Sequence, residues 1–164
     1  LTPRQGLGEY TSYAFIADAM LGRLARWMRF LGFDTLYFRD IKDSRLIRIA
    51  REQDRIILTR DTRLVQIKGL NNYLLIKSDN VLDQLIEVIN TFKISQIKPL
   101  SRCVACNGIL KKITNKQKIK DSVPEFIFLN IHDFLECPDC GKIYWEGSHP
   151  RKFKEKLDKI IKEL

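Results

Sequence analysis

No apolar run in this 164-residue sequence approaches the roughly 20 residues that a transmembrane helix needs, so no segment is expected to span a membrane. Nor does the start read as a secretory signal, because Arg4, Gly6, Gly8 and Glu9 precede any apolar stretch and no signal-like apolar core follows. The expected compartment is therefore the cytoplasm. Internal repeats and low-complexity segments are also lacking. Acidic residues are outnumbered, 20 against 29 Lys and Arg, for a formal net charge of +9. Cysteine is scarce, with four residues, and histidine scarcer, with two. What is not scarce is apolar side chain: a hydrophobic share of 45% is ordinary for a folded protein and excludes wholesale disorder.

The positive charge is spread along the chain. Residues 1–100 hold 16 basic against 11 acidic residues, and residues 101–164 hold 13 against 9. A polyanion such as RNA or DNA is the natural partner for such a surface. The plainer alternative is the solvated, lysine-rich surface of a thermostable protein.

Hydrophobic patterning divides the chain. Apolar runs at Tyr13–Ala17, Thr35–Phe38, Arg55–Thr59 and Tyr73–Ile76 predict strands, and helical spacing is predicted between and after them. Leu21, Leu24, Ala25, Met28 and Leu31 form one helical face closed by Gly32; Leu46, Ile49 and Ala50 form a second; Val81, Leu85, Val88, Ile89 and Phe92 form a third. The strand runs are continuous rather than alternating, which indicates strands covered on both faces and an α/β fold with an open parallel sheet. Lys93–Ser101, with Pro99, is expected to be a linker. Beyond it a strand is predicted at Gly108–Ile113, an exposed loop or hairpin at Lys111–Lys120, and a last amphipathic helix carrying Phe153, Leu157, Ile160, Ile161 and Leu164. The expected domains are an extension at 1–12, the α/β domain at 13–95, a cysteine-bearing domain at 101–150 and the helix at 151–164.

The cysteines are Cys103-Val-Ala-Cys106 and Cys137-Pro-Asp-Cys140, two C-x-x-C pairs separated by 30 residues. In a cytosolic chain this spacing argues for metal rather than disulfides. Each turn presents two thiolates, and two such turns complete a tetrahedral four-sulfur site suited to one structural Zn²⁺. An iron centre of similar geometry and a redox or empty site are the alternatives. With four sulfurs, His132 and His149 are superfluous as ligands. Gly108 and Gly141 are expected at the positive-φ positions of the two turns.

Three aspartates fall where an open parallel sheet places its ligands, outside the carboxyl ends of the strands. Asp18 ends the first strand, Asp43 precedes the second helix, and Asp61 lies two residues past the third strand. Such acids suit Mg²⁺ or Mn²⁺, and the pair of ions they can hold suits phosphodiester chemistry. Helix capping is the plainer role for Asp43 and Asp61. Arg23, Arg26 and Arg29 follow Asp18 on the first helix, and Arg60 and Arg63 flank Asp61, as a phosphodiester substrate would require.

At these residues the sequence resembles a known family. Phe15-Ile-Ala-Asp18-Ala-Met-Leu-Gly-Arg23-Leu-Ala-Arg26-Trp27-Met-Arg29, Ile57-Leu-Thr59-Arg60-Asp61 and Cys137-Pro-Asp-Cys140-Gly-Lys-Ile-Tyr-Trp145-Glu-Gly147-Ser148-His149 resemble, in order, motifs of the PIN-like ribonuclease domains of the mut-seven C-terminal type. The resemblance implies a PIN-like parallel sheet flanked by helices, then a zinc ribbon, and a metal-dependent ribonuclease activity; endonucleolytic cleavage is the expectation, with cleavage from an end left open. By position it implies Asp18, Asp43 and Asp61 as the acids, with Asp40 a competitor for the second place and Asp79 a weaker match to a fourth. Thr59 fits the hydroxyl residue that precedes the last acid. Substrate phosphates are expected at Arg23, Arg26 and Arg60, and an RNA backbone at Lys111, Lys112, Lys116, Lys118 and Lys120. RNA is the expected partner, with ribosomal RNA or a ribonucleoprotein among the candidates, and no antitoxin is expected. The rival expectation is a non-catalytic RNA- or ribosome-binding factor on the same scaffold; DNA as substrate stays open.

Overall fold

The computed structural model describes residues 13–145. The expected extension, the last residues of the ribbon with His149, and the C-terminal helix lie outside the described residues.

Strand β1 (Ala14–Ala17) is buried over its last three residues and ends at Asp18, which stays extended and accepts the Ala19 N–H at 2.6 Å. That bond starts a short 3-10 turn, Ala19–Leu21, which runs into α1 (Gly22–Phe30). The apolar face of α1 is Leu24, Ala25 and Met28, continued by Leu31, all fully buried. Gly32, at φ +94°, ends the helix: its N–H donates to the Arg29 carbonyl and the Phe33 N–H to the Met28 carbonyl, both at 2.9 Å. This paired closure needs a left-handed residue. A Cβ at Gly32 would also meet the Lys98 carbonyl at 2.5 Å.

There follow β2 (Asp34–Tyr37), α2 (Asp43–Glu52), β3 (Ile56–Thr59), β4 (Tyr73–Leu75) and α3 (Val81–Thr91), the last capped by the Asn80 side chain. The four strands form one parallel sheet in the order β2-β1-β3-β4. Helices α1 and α3 cover one face, with Phe15, Ala17, Leu58 and Leu85 in their core. Helix α2 covers the other, over Ile16, Leu46, Ile47 and Ile57. The chain first winds from β1 out to β2, then crosses back to β3 on the other side of β1. The switch point, where such sheets open a crevice, is therefore at the carboxyl ends of β1 and β3.

Residues 93–101 carry no regular element, as expected of a connection, but they are laced to the end of α1. Lys98 N–H donates to the Leu31 carbonyl at 3.0 Å and Leu100 N–H to the Phe30 carbonyl at 2.9 Å. Beyond them a small antiparallel sheet, β5-β6-β7, is built from Lys111–Lys112, Phe134–Glu136 and Ile143–Trp145. Here the structure departs from expectation. The strand predicted at Gly108–Ile113 is reduced to β5 and a single bridge between Arg102 and Ile109. The lysine-rich stretch is not a plain exposed loop, because a 3-10 helix at Lys116–Ser122 buries Ile119 against Val123 and Phe134. Helix α4 (Glu125–Asn130) follows. No helix among the described residues is long and apolar enough to cross a membrane.

Candidate metal centre and candidate active site

The two C-x-x-C turns are built alike. In the first, Cys103 N–H donates to the Gly108 carbonyl at 2.7 Å and Asn107 N–H to the Cys103 carbonyl at 2.9 Å. In the second, Cys137 N–H donates to the Lys142 carbonyl at 2.9 Å and Gly141 N–H to the Cys137 carbonyl at 2.8 Å. The residue after each second cysteine is left-handed: Gly141 at φ +72° and Asn107 at φ +75°. The expectation that Gly108 would fill this place is corrected. Asparagine tolerates the left-handed region, and Gly108 is needed one residue later for a different reason. A Cβ there would run into the Asp139 carboxylate and lie 3.1 Å from Cys137 Sγ.

The four sulfurs lie within 4.8 Å of one another, with Cys103 and Cys140 at 3.5 Å and Cys106 and Cys137 at 3.3 Å. Four thiolates on one Zn²⁺ at about 2.3 Å stand about 3.8 Å apart, so the set fits a tetrahedral ion. Burial opposes ionisation of Cys103, but the Tyr144 hydroxyl, 3.0 Å away, and backbone N–H groups outweigh it and bring the thiol to about 6. Cys106 is pushed up to about 12 by burial and by the neighbouring sulfurs. With its four-cysteine cluster and antiparallel strands, this half has the make-up of a zinc ribbon.

The ribbon is bolted to the parallel sheet at the amino end of edge strand β2. Asn107 uses both ends of its amide: Oδ1 accepts the Thr35 N–H at 2.9 Å, and Nδ2 donates to Asp34 at 2.8 Å. Asp34 also pairs with Arg55 at 2.7 Å and Arg102 at 3.5 Å. Burial pushes the Asp34 carboxyl up, but the hydrogen bonds from Arg55 and Asn107 and the charges of Arg55 and Arg102 hold it below the usual range. Arg29 completes the junction. It is buried, donates to the Thr35 carbonyl at 2.7 Å, and reaches into the first cysteine turn to donate to the Ala105 carbonyl at 2.7 Å and the Val104 carbonyl at 3.3 Å. The substrate-facing place expected for Arg29 is thus corrected. Arg23 and Arg26 are exposed on α1.

At the opposite end of the sheet lies the switch point, the place where parallel sheets open a crevice. Ala17 pairs with Tyr37 on one side and Leu58 on the other, so the next residues, Phe38, Asp18 and Thr59, stand in one row. Alternation places that row on the α2 face with Leu36, Ile16 and Ile57. Asp18 is 8% exposed and accepts the Thr59 hydroxyl at 2.7 Å. Thr59, fully buried, accepts the Asp61 N–H at 3.0 Å through the same oxygen. One hydroxyl therefore ties the first acid to the backbone of the last. Asp61 Oδ1 accepts the Arg63 N–H at 2.8 Å, a bond that, with the Arg63 charge, holds the carboxyl below its usual range.

The other sequence candidates are more loosely placed. Asp43 is exposed in the first turn of α2, whose N-cap is Lys42, and Asp40 is exposed in the turn before it. Asp79 is exposed and ion-paired with Arg60. Among the described residues, the four cysteines are the one group of three or more ligand-type side chains whose ligand atoms converge within 4.8 Å; no three acids do so. On the ribbon, Lys111, Lys118 and Lys120 are exposed, while Lys112 pairs with Asp133 at 2.6 Å and Lys116 lies over the Phe128 ring at 4.6 Å.

Sequence reasoning missed Asn107, Asp34, Arg55, Arg102 and Tyr144. The one available signal was Asn107, a polar left-handed-tolerant residue just after a metal turn. The family model described as the Mut7-C RNAse domain matches residues 13–157. No curated protein and no solved structure matches the chain.

Proposed function

The chain belongs to the Mut7-C RNase domain family, and on that premise we propose that it is a metal-dependent, endonucleolytic ribonuclease acting at the crevice of Asp18, Thr59 and Asp61. The observation that carries this reading is the Thr59 hydroxyl joining Asp18 to the Asp61 backbone at the switch point of the sheet. Oxygen donors there suit a hard cation. Mg²⁺ commonly takes only one or two carboxylates, completing its shell with water and substrate oxygens, so Asp18 and Asp61 are a sufficient anchor. Asp43, from α2, is the proposed third acid, and Asp79 a weaker fourth. When bound, Mg²⁺ or Mn²⁺ supplies Lewis-acid charge for the phosphoryl oxygens and eases deprotonation of water.

The chain's own residues supply position and charge. Thr59 donates its only hydroxyl proton to Asp18 and so fixes which lone pairs of that carboxylate face the crevice. Arg23 and Arg26 are exposed on the helix that leaves Asp18 and are proposed to hold flanking phosphates. Arg60, beside the crevice, is held by Asp79 and would be released to a phosphate that displaces it. Structural zinc at Cys103, Cys106, Cys137 and Cys140 shapes the ribbon, whose Lys111, Lys118 and Lys120 are proposed to contact the RNA backbone. Lys112 and Lys116, already engaged within the ribbon, contribute less.

One observation favours a second reading, a non-catalytic RNA- or ribonucleoprotein-binding factor: no three acids converge among the described residues. Incubating a pool of labelled structured and single-stranded RNAs with Mn²⁺, Mg²⁺ or neither separates the two. For the enzyme, cutting requires added metal and falls at least about 100-fold in Asp18→Asn, in line with loss of a metal-anchoring charge. Binding without cutting, equal in both proteins, would overturn the nuclease reading and leave the binding factor.

A further inference from the structure

Phe38 is not explained by the fold or by the hydrolytic residues. It follows β2, is 38% exposed, and stands in the same row as Asp18 and Thr59. Phe38 directly follows Tyr37, the partner of Ala17, so its backbone leaves the sheet about one strand spacing, ~4.8 Å, from that of Asp18. The Arg45 guanidinium, from the same helix as Asp43, sits 5.8 Å from the ring centroid. Met20, in the turn that follows Asp18, is 63% exposed. An aromatic face backed by a guanidinium, next to an anion-handling crevice, matches what a nucleobase stacks on. Every base has a π-face, and stacking on an aromatic side chain or an Arg plane requires that the base be unpaired.

We infer that Phe38 and Arg45 form a stacking platform for one unpaired base of single-stranded RNA, the nucleotide whose phosphate lies at Asp18. The inference rests on the proposed ribonuclease reading and names its substrate class: single strands and unpaired loops rather than continuous duplex. A duplex keeps its bases stacked inside the helix and has none to offer to Phe38. The ring supplies the π surface, Arg45 adds cation–π attraction and charge toward the adjoining phosphate, and the row geometry sets the offset between base and acid.

The test is binding by the full chain carrying Asp18→Asn, with zinc in place and no Mg²⁺ or Mn²⁺, so that affinity is read apart from cutting. The probes are a fluorescein-labelled single strand of about ten nucleotides, the same chain with abasic riboses, and a blunt duplex of equal length. Phe38→Ala should weaken the single strand by about 5- to 100-fold, the span expected when one base loses its stacking partner. The abasic chain and the duplex should bind within about twofold of the parent, and Phe38→Trp should restore affinity where Phe38→Leu does not. Unchanged melting temperatures in these variants confirm that the exposed position tolerates them. An equal loss on all three probes, no loss on any, or full rescue by Leu would overturn the platform. Base-dependent binding with no metal-dependent cutting would retain the platform and remove the nuclease; cutting of single strands that Phe38→Ala leaves unaltered would do the reverse.

Discussion

The cysteine centre and the acid crevice stand at opposite ends of one small molecule and are encoded in opposite ways. The centre is two copies of a single turn, each fixed by two backbone hydrogen bonds and one left-handed residue. The crevice has no local unit: Asp18 comes from the end of β1, Thr59 from the end of β3, and they meet because those strands are neighbours at the switch point. Between them runs α1, whose amino end leaves the crevice and whose carboxyl end carries Arg29 into the first cysteine turn. A locally encoded site survives changes in the sheet, whereas a topological site depends on every element that sets strand position. The ribbon, bolted to β2, is one of those elements.

The largest effect should come from dismantling the centre. Cys137→Ser should remove zinc from a one-per-chain stoichiometry and unfold residues 101–145, since structural zinc contributes on the order of 10 kcal/mol to such sites. Hydrogen exchange should show protection lost there and largely kept in β1, β3 and β4; full retention of zinc would show that the centre does not depend on all four sulfurs.

The junction comes next. Arg29→Ala leaves the Thr35 and Ala105 carbonyls without their donor, a loss of about 2–3 kcal/mol because the missing donor is charged and buried. If the two ends are coupled through α1, exchange should rise in the first cysteine turn and at the carboxyl end of α1 together. A rise confined to either side would mean that they are independent.

Asp34 sharpens the same point through pH. Its folded carboxyl lies below the ordinary value because the hydrogen bonds and charges of Arg55, Asn107 and Arg102 overcome burial. Its contribution is therefore complete above the unfolded value, about 3.9, and is lost as the pH falls through the lower folded value. Asp34→Asn should cost about 1–3 kcal/mol at neutral pH, and the gap from the parent should close progressively as the pH falls below about 4 in denaturant titrations. A gap that persists at low pH would show that the carboxylate charge is not what holds the junction.

The smallest effect is on RNA affinity. Replacing Lys111, Lys118 and Lys120 with Ser should reduce the salt slope of single-strand binding by about 0.7 for each phosphate that is no longer neutralised. Lys112→Ser should change it less, because Asp133 already neutralises that lysine. Equal slopes in all variants would remove the ribbon from RNA binding.

Most of the sheet was legible because its strands are short, continuous apolar runs and its helices have single apolar faces. Each predicted element of the α/β half appears with its ends shifted by a residue or two. The ribbon was less legible. Its strands, of two or three residues, are too short for a period to show, and the 3-10 helix at Lys116–Ser122 is anchored by one apolar residue, Ile119. Arg29 misled for a geometric reason. Steps of three residues turn a helix by about 300°, so Arg29 stands about 120° around α1 from Arg23 and faces the ribbon, not the solvent.

Local spacing sufficed for the two metal-type turns, because a C-x-x-C pair closes within six residues, although it did not assign the left-handed place of the first turn to Asn107. It also determined the layers, because burial on one face or two is written in the spacing of apolar residues. That Thr59 would meet Asp18, that Phe38 would leave the sheet beside them, and that Arg29 and Asn107 would join the two sheets came from the packing of the whole chain. These are contacts between strands or domains distant in sequence, and their partners are chosen by strand order and register, which no local spacing records.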